Sequence, residues 1–386
     1  MADPLVSVVI PCLDEERTIA ACVASASNGI ARLKASGEVI VVDNGSKDHS
    51  AELAAAAGAR VVRHEVKGYG SALRRGFTEA KGRYIIMGDG DETYDFAALP
   101  EFVHTLENGA DLVMGSRLRG TIEHGAMPWL HRWVGTPFLT GVLNVLYKTR
   151  ISDANCGLRG FSAAAIRALN LKCDGMELAS EMVVKAAQKR LVVEETPIHY
   201  SAGLPGRLPN LHTFRDGWRH LRFMLMLAPK YIFLLPGFIL FCLGLALSAL
   251  FLAGNVSVFR IPLGLSAAIF ANALLFMGIQ IAFFGVYAIV YGTSQGFAEE
   301  DSISRAIKKY FKLEWGLGVG GLILTLSVLL GLFTIHQLLV ISKPFAAVDV
   351  PVTKLSAVCI FLFLLGLQLV FSSFYLGLLD LTKTLE

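Results

Sequence analysis

The sequence predicts a two-part chain: an α/β domain on a mostly parallel sheet, then an α-helical membrane domain with four transmembrane helices. Three observations carry this reading. Strand-like and helix-like patterns alternate through the first half of the chain. The strands are continuous apolar runs, as expected where both faces of a parallel sheet are covered. From Tyr231 onward long uncharged stretches dominate, whereas residues up to about Arg222 carry charges throughout. The 386 residues are 54% hydrophobic, and the mean hydropathy of +0.54 is too high for an ordinary soluble protein.

The elements follow in order from local pattern. Residues 6–10 read as the first strand and 15–34 as a long helix. Residues 39–43 are the second strand, followed by a helix at 48–57, and 59–64 are the third, followed by a helix at 71–80. Residues 84–87 form a short fourth strand and 111–115 a fifth. Ligands of such sheets bind beyond the carboxyl ends of the strands. Polar residues gather there: Pro11-Cys12-Leu13-Asp14-Glu15 after the first strand, and Asp43-Asn44-Gly45-Ser46 after the second. Asp43 is placed to accept hydrogen bonds from a ribose or a base. Lys67-Gly68-Tyr69-Gly70-Ser71 opens the helix after the third strand, where backbone N–H groups and the helix dipole favour phosphate. A dinucleotide fingerprint is not expected, because the third glycine is missing and the loop follows the wrong strand.

Asp89-Gly90-Asp91 leaves the fourth strand. Two carboxylates this close repel unless a cation lies between them. Hard oxygen donors suit Mg²⁺ or Mn²⁺, which usually keep water and bind substrate phosphates. The pattern predicts a divalent metal holding a diphosphate.

Four stretches are long enough to cross a bilayer, which takes roughly 20 apolar residues. They cover about 231–253, 263–291, 315–340 and 355–379. Basic residues cluster before the first stretch (Arg215, Arg219, Arg222, Lys230) and between the second and third (Arg305, Lys308, Lys309, Lys312). The positive-inside rule then predicts a cytoplasmic N-terminal domain and both termini inside. Residues 213–230 and about 299–313 read as basic amphipathic helices lying in the headgroup plane. The expected domains are 1–212, the interfacial helix 213–230 and the membrane domain 231–386. The six cysteines show no metal-ligand spacing and are expected as free thiols of a reducing compartment. The N-terminus lacks a basic region ahead of the first strand and predicts no signal peptide. The net charge of +3 gives no reason to expect a nucleic-acid partner.

Taken together, several segments resemble the inverting family-two glycosyltransferases with the GT-A fold. They are Val8-Val9-Ile10-Pro11, Asp14-Glu15, Val41-Val42-Asp43-Asn44-Gly45-Ser46, Asp89-Gly90-Asp91, Gly115-Ser116-Arg117, the stretch from Asp153 to Arg159, Met176 to Met182, and Arg215-Asp216-Gly217-Trp218-Arg219. Followed by four spans, the set is similar to polyprenyl-phosphate hexosyltransferases such as dolichyl-phosphate mannose and glucose synthases. The resemblance implies a Rossmann-like GT-A domain that moves one hexose from a nucleotide-diphospho-sugar, UDP-glucose or GDP-mannose, to an undecaprenyl or dolichyl phosphate. It implies Mg²⁺ or Mn²⁺ on Asp89 and Asp91, and a nucleotide-sugar pocket of Pro11, Leu13, Asp14, Glu15, Asp43, Gly68, Asp89, Glu177 and Glu181. Asp91, Arg117 and Asp153 stand as the catalytic set. Arginine suits phosphate because its planar fork donates in pairs, so Arg117, Arg132 and Arg207 are candidates for the lipid phosphate. Where mannose synthases often carry a glutamine after the aspartate pair, this chain has Glu92-Thr93. A homo-oligomer is compatible with all of this.

Two other readings are weaker. A processive polysaccharide synthase would need a Gln-x-x-Arg-Trp segment, which the chain lacks. A non-catalytic lipid-sugar flippase would need a polar path through the spans, where Gln280 and Gln368 stand nearly alone.

Overall fold

The computed structural model describes residues 3–204, 213–253, 257–258, 261–262, 265–310, 312–341 and 350–381. It divides into two compact units, Met1–Leu225 and Met226–Glu386.

In the first unit seven strands form one sheet. They are β1 (Val6–Cys12), β2 (Gly37–Asp43), β3 (Arg60–Arg63), β4 (Tyr84–Met87), β5 (Leu112–Ile122), β6 (Arg159–Ser162) and β7 (Val193–Tyr200). Their order is β3-β2-β1-β4-β6-β5-β7. All neighbouring pairs are parallel except the two made by β6, which runs antiparallel to β4 and β5. The first four strands lie where the apolar runs predict them. β5 runs seven residues past the expected Gly115, to Ile122, because its polar second half pairs with β7. That half alternates outward and inward instead of being buried throughout, so no apolar run marks it.

Helices cover both faces. They are α1 (Ile19–Arg32), α2 (Ser50–Ala56), α3 (Tyr69–Glu79), α4 (Leu99–Glu107), α5 (Thr136–Tyr147), α6 (Ala163–Leu169), α7 (Leu178–Gln188) and α8 (Thr213–Met226). The sheet's two faces carry two cores. Val8, Ile10, Val41 and Ile86 pack with α1 and α4. Val9, Ile40, Val42, Ile85 and Met87 pack with α3, α5, α6 and α7. Successive residues of one strand thus serve opposite cores, the period-two geometry of a doubly covered sheet.

α8 does not present the apolar face expected of it as a single surface. Met224 and His220 are buried, and Leu221 packs against the α7-side core. Phe214 and Trp218 remain exposed on a different part of the helix.

In the second unit four helices are long and apolar enough to cross a membrane: Lys230–Ala253, Ser266–Ser294, Leu313–Val340 and Lys354–Leu379. They belong to α9 (Leu235–Ala253), α10 (Leu265–Ser294), α12 (Leu313–Ile341) and α13 (Val350–Leu381), with the short α11 (Ser302–Tyr310) between. α9 meets α10 at Gly237, Gly244 and Gly278, where an added Cβ would lie 2.8, 2.6 and 2.5 Å from atoms of the facing helix. Small residues allow such close backbone approach in membranes. Gln280 donates to Gln368 at 2.7 Å, and Gln368 in turn donates to Ser372. The two span glutamines therefore satisfy each other.

Candidate active site

The sheet register brings the polar strand ends together. Cys12 pairs with Asp43 across β1 and β2. Val9 pairs with Met87 across β1 and β4, so Asp89 leaves the sheet level with the end of β1. Because β6 is antiparallel, its first residue, Arg159, pairs with both Met87 and Met114. The loop from Asp153 to Leu158 therefore arrives at the same edge as Asp89, Asp91 and Arg117.

Asp89 and Asp91 are both half-buried. The Tyr69 hydroxyl donates to Asp89 Oδ1 at 2.7 Å. Gly157 lies against the other oxygen: a Cβ there would sit 2.5 Å from Oδ2. The Gly157 amide is held by the Tyr94 hydroxyl at 2.8 Å. Asp91 Oδ1 accepts from the Thr93 amide and hydroxyl, and Glu92 between them takes the left-handed conformation at φ 61°. Burial, and then the Asp91 carboxylate, push the Asp89 carboxyl up to about 6. Part of that repulsion is countered by Arg117 and Arg159.

A divalent cation fits this donor set. It would relieve the repulsion between the two carboxylates, and their oxygens are hard donors. Among the described residues no group of three or more His, Cys, Asp or Glu could hold a metal. The pair therefore suits an ion that takes its remaining ligands from water and substrate phosphates. Thr93 is engaged with Asp91 itself.

Asp43 is buried and accepts from the Ser46 amide at 2.9 Å, closing the turn after β2. Asn44 organises the same corner. Its side chain donates to the carbonyls of His64 and Val66 and accepts from the Gly68 amide. Lys67 reaches the Asn44 carbonyl at 2.7 Å. Asp14 takes a left-handed φ of 55° and accepts from the Lys47 amide at 2.7 Å. The Glu15 amide donates to Ser50. Pro11 is half-buried and Leu13 exposed beside them. Segments 11–15 and 43–47 thus form one stapled rim next to the aspartates. Glu177 is half-buried just ahead of α7, where a carboxylate complements the helix dipole.

Four of the expected site residues are engaged in contacts within the domain. The Ser71 amide at the start of α3 donates to the Asp174 carbonyl at 3.0 Å, and a Cβ on Gly68 would collide with that carbonyl. The glycine serves a close chain crossing. Glu181 is fully buried: it accepts from the Lys172 and Cys173 amides and pairs with buried Lys185 at 2.8 Å. Asp153 is also fully buried and grips Arg117 in a two-bond fork, at 2.7 Å to Nε and 2.8 Å to Nη2. Arg117 itself is buried, with its ring-facing side 5.2 Å from the Tyr200 ring centroid. Its fork is thus committed to Asp153, and what it offers the aspartate edge is charge.

Arg132 is half-buried, its guanidinium 5.3 Å from the Trp133 ring centroid. Arg207 lies outside the described residues. The cysteines are free, and burial pushes the Cys12 thiol up to about 11 and those of Cys22 and Cys156 to about 12.

Sequence reasoning missed Arg159, Tyr69 and Tyr94. Arg159 is fully buried and is held by the carbonyls of Ala154, Cys156 and Ala179. It forms a fixed positive charge beneath the aspartate edge, and burial pulls its pKa down. A lone arginine beginning an otherwise apolar strand is the signal that could have found it.

The chain matches the model of "Glycosyl transferase family 2" over residues 7–169 and that of the "Glycosyltransferase family 2 C-terminal transmembrane region" over 286–380. It is similar to the low-salt glycan biosynthesis hexosyltransferase Agl6 of Haloferax volcanii, at 38% identity over 97% of this chain and 89% of that one. A dolichyl-phosphate hexose transferase of the same organism is 29% identical over 42% of this chain and 69% of its own length. Glucosyl-3-phosphoglycerate synthase from Mycobacterium tuberculosis, solved with Mn²⁺, UDP and glucosyl-3-phosphoglycerate, aligns at TM-score 0.47 and 23% identity over 58% of this chain and 79% of that one. With an aspartate edge on a mostly parallel sheet, four helices among the described residues that are long and apolar enough to cross a membrane, and a relative matched over nearly its whole length, the chain is a membrane glycosyltransferase and belongs to glycosyl transferase family 2.

Proposed function

We propose that this enzyme transfers a single hexose, with inversion, from a nucleotide-diphospho-sugar to a polyprenyl phosphate at the cytoplasmic face of the membrane. The observation that carries the reading is the Asp89–Asp91 pair at the carboxyl edge of the sheet, in a chain that continues into four apolar helices. The similarity to a protein named dolichyl-phosphate hexose transferase supports the acceptor class. UDP-glucose is the favoured donor, with GDP-mannose the alternative.

In this reading Asp89 and Asp91 hold Mg²⁺ or Mn²⁺, which when bound stabilises the charge developing on the departing nucleoside diphosphate. The rim of Pro11, Leu13, Asp14, Glu15 and Asp43 receives the nucleotide, and Glu177 the sugar. Tyr69 fixes the orientation of Asp89 through its hydroxyl. Arg117 and Arg159 supply positive potential in a low-dielectric edge, where fixed charge acts most strongly. A lipid phosphate is already an anion near neutral pH, so it needs placement more than a base. That leaves the buried Asp153 as the residue that sets Arg117. Arg132 and Arg207 are the proposed contacts of the lipid phosphate. In this reading the catalytic unit and both termini lie inside and residues 213–230 and 299–313 lie at the headgroups, which the basic residues flanking the spans support.

The test is a panel of radiolabelled nucleotide sugars with polyprenyl phosphate and purified protein. One organic-soluble product carrying one sugar supports the reading. A polymer, or no transfer from any common donor, overturns it.

A further inference from the structure

We infer that the face of α5 and of the turn before it is a membrane-seating surface of the catalytic unit, inserted at the boundary between lipid headgroups and acyl chains. Residues 133–147 contain no charged side chain. In a soluble domain such a helix would be buried, yet it presents an apolar stripe to the outside. Trp129 is 69% exposed, Trp133 62%, Phe138 56% and Val145 70%. Phe138 and Val145, seven residues apart, share one face of α5, and Trp129 and Trp133 are exposed in the turn before it, while Leu139 and Leu143 turn into the core.

Three observations select a bilayer as the occupant. Basic residues flank α5: Arg132 in the turn ahead of it, Lys148 and Arg150 after it. Next to the second end lies a hollow of about 330 Å³ where the basic Arg119, Lys148, Arg150 and Arg190 outnumber the acidic Glu194 and Glu195. An apolar stripe flanked by cationic residues is complementary to anionic headgroups over acyl chains. Tryptophan is the side chain that favours that boundary, with an apolar body and one polar N–H. The Tyr147 hydroxyl, closing α5, donates to the Met224 carbonyl at 2.7 Å. Met224 precedes the first span, which begins at Lys230, by six residues, a chain length of at most about 20 Å. The end of α5 is therefore tied to α8, the helix that precedes the first span in the chain.

The inference needs the spans but not the acceptor proposed above. Its test accordingly reads depth rather than transfer. Full-length protein is placed in nanodiscs containing lipids brominated just below the headgroup, one chain per disc. The signal of Trp129 and Trp133 is the difference between the parent and a Trp129→Phe/Trp133→Phe variant. Both rings are exposed, so the variant keeps its fold. The expected result is a blue-shifted difference spectrum quenched about twofold by the brominated lipid and insensitive to iodide. A red-shifted difference spectrum quenched by iodide would overturn the inference. So would a blue shift that appears only with two chains per disc, which would assign the stripe to a second copy.

Discussion

Asp153→Asn isolates what the Arg117–Asp153 fork does. The substitution keeps the shape of the side chain and removes its charge. Arg117 then stays in place, 8% exposed, with no carboxylate opposite its fork. Removing one partner of a buried ion pair typically costs about 3–5 kcal/mol, because the remaining charge is left uncompensated. For a unit of this size each kcal/mol moves the melting temperature by roughly 2–4 °C. The expected shift is therefore about 10 °C downward. The assay is thermal unfolding of the full-length protein in detergent, followed by tryptophan fluorescence, with Arg117→Gln and the double variant alongside. The singles should couple by about 2 kcal/mol or more, because the double variant leaves neither charge stranded. Additive effects would refute a direct pair. An Asp153→Asn variant that melts like the parent yet has lost its turnover would refute the positioning role, and would assign the carboxylate to the substrate instead.

Three further predictions follow from the same geometry. Gly157→Ala places a Cβ against Asp89 Oδ2, so it should weaken Mn²⁺ binding at least about tenfold, the scale of lost support around a metal ligand. Titration calorimetry of the purified protein reads this, and unchanged affinity would contradict the Asp89 assignment. His220 donates to or accepts from Ser180 at 2.8 Å, and burial followed by the Arg159 charge pulls it down to about 4. The folded state thus resists its proton, so stability is full above the ordinary value near 6.5 and falls between about 6.5 and 4, by up to about 3 kcal/mol. His220→Gln should flatten that slope, as read by unfolding at pH 7 and pH 5. Glu181→Gln strands Lys185, which is 2% exposed, and should destabilise the unit by about 3–5 kcal/mol while the remaining folded protein keeps its affinity for the donor; a selective loss of donor binding would restore Glu181 to the site.

The fold was legible because its signals are local. Four apolar runs gave the first four strands, and the spans need only length and absence of charge. Aspartates 89 and 91 were legible for the same reason, lying two and four residues past a buried strand. Other residues depend on partners far away in the chain. Asp153 meets Arg117 across 36 residues, and Gly68 meets the Asp174 backbone across about a hundred. No periodicity encodes such pairings. Arg159 escaped notice because its partners are backbone carbonyls, which no side-chain motif announces. The uncharged stretch 133–147 was written openly in the sequence, but whether its apolar side faces core or surroundings is decided only by packing.

The central claim is that Asp89 and Asp91 hold the metal and diphosphate for transfer of one hexose to a lipid phosphate. It is tested most directly by single-turnover transfer from a radiolabelled nucleotide sugar to polyprenyl phosphate, comparing parent, EDTA-treated parent and Asp91→Ala. The account predicts one organic-soluble, single-sugar product from the parent, lost on chelation and restored by Mg²⁺ or Mn²⁺. In Asp91→Ala it predicts transfer reduced at least about a thousandfold, with the melting temperature preserved. Undiminished transfer in EDTA, or by Asp91→Ala, would contradict it.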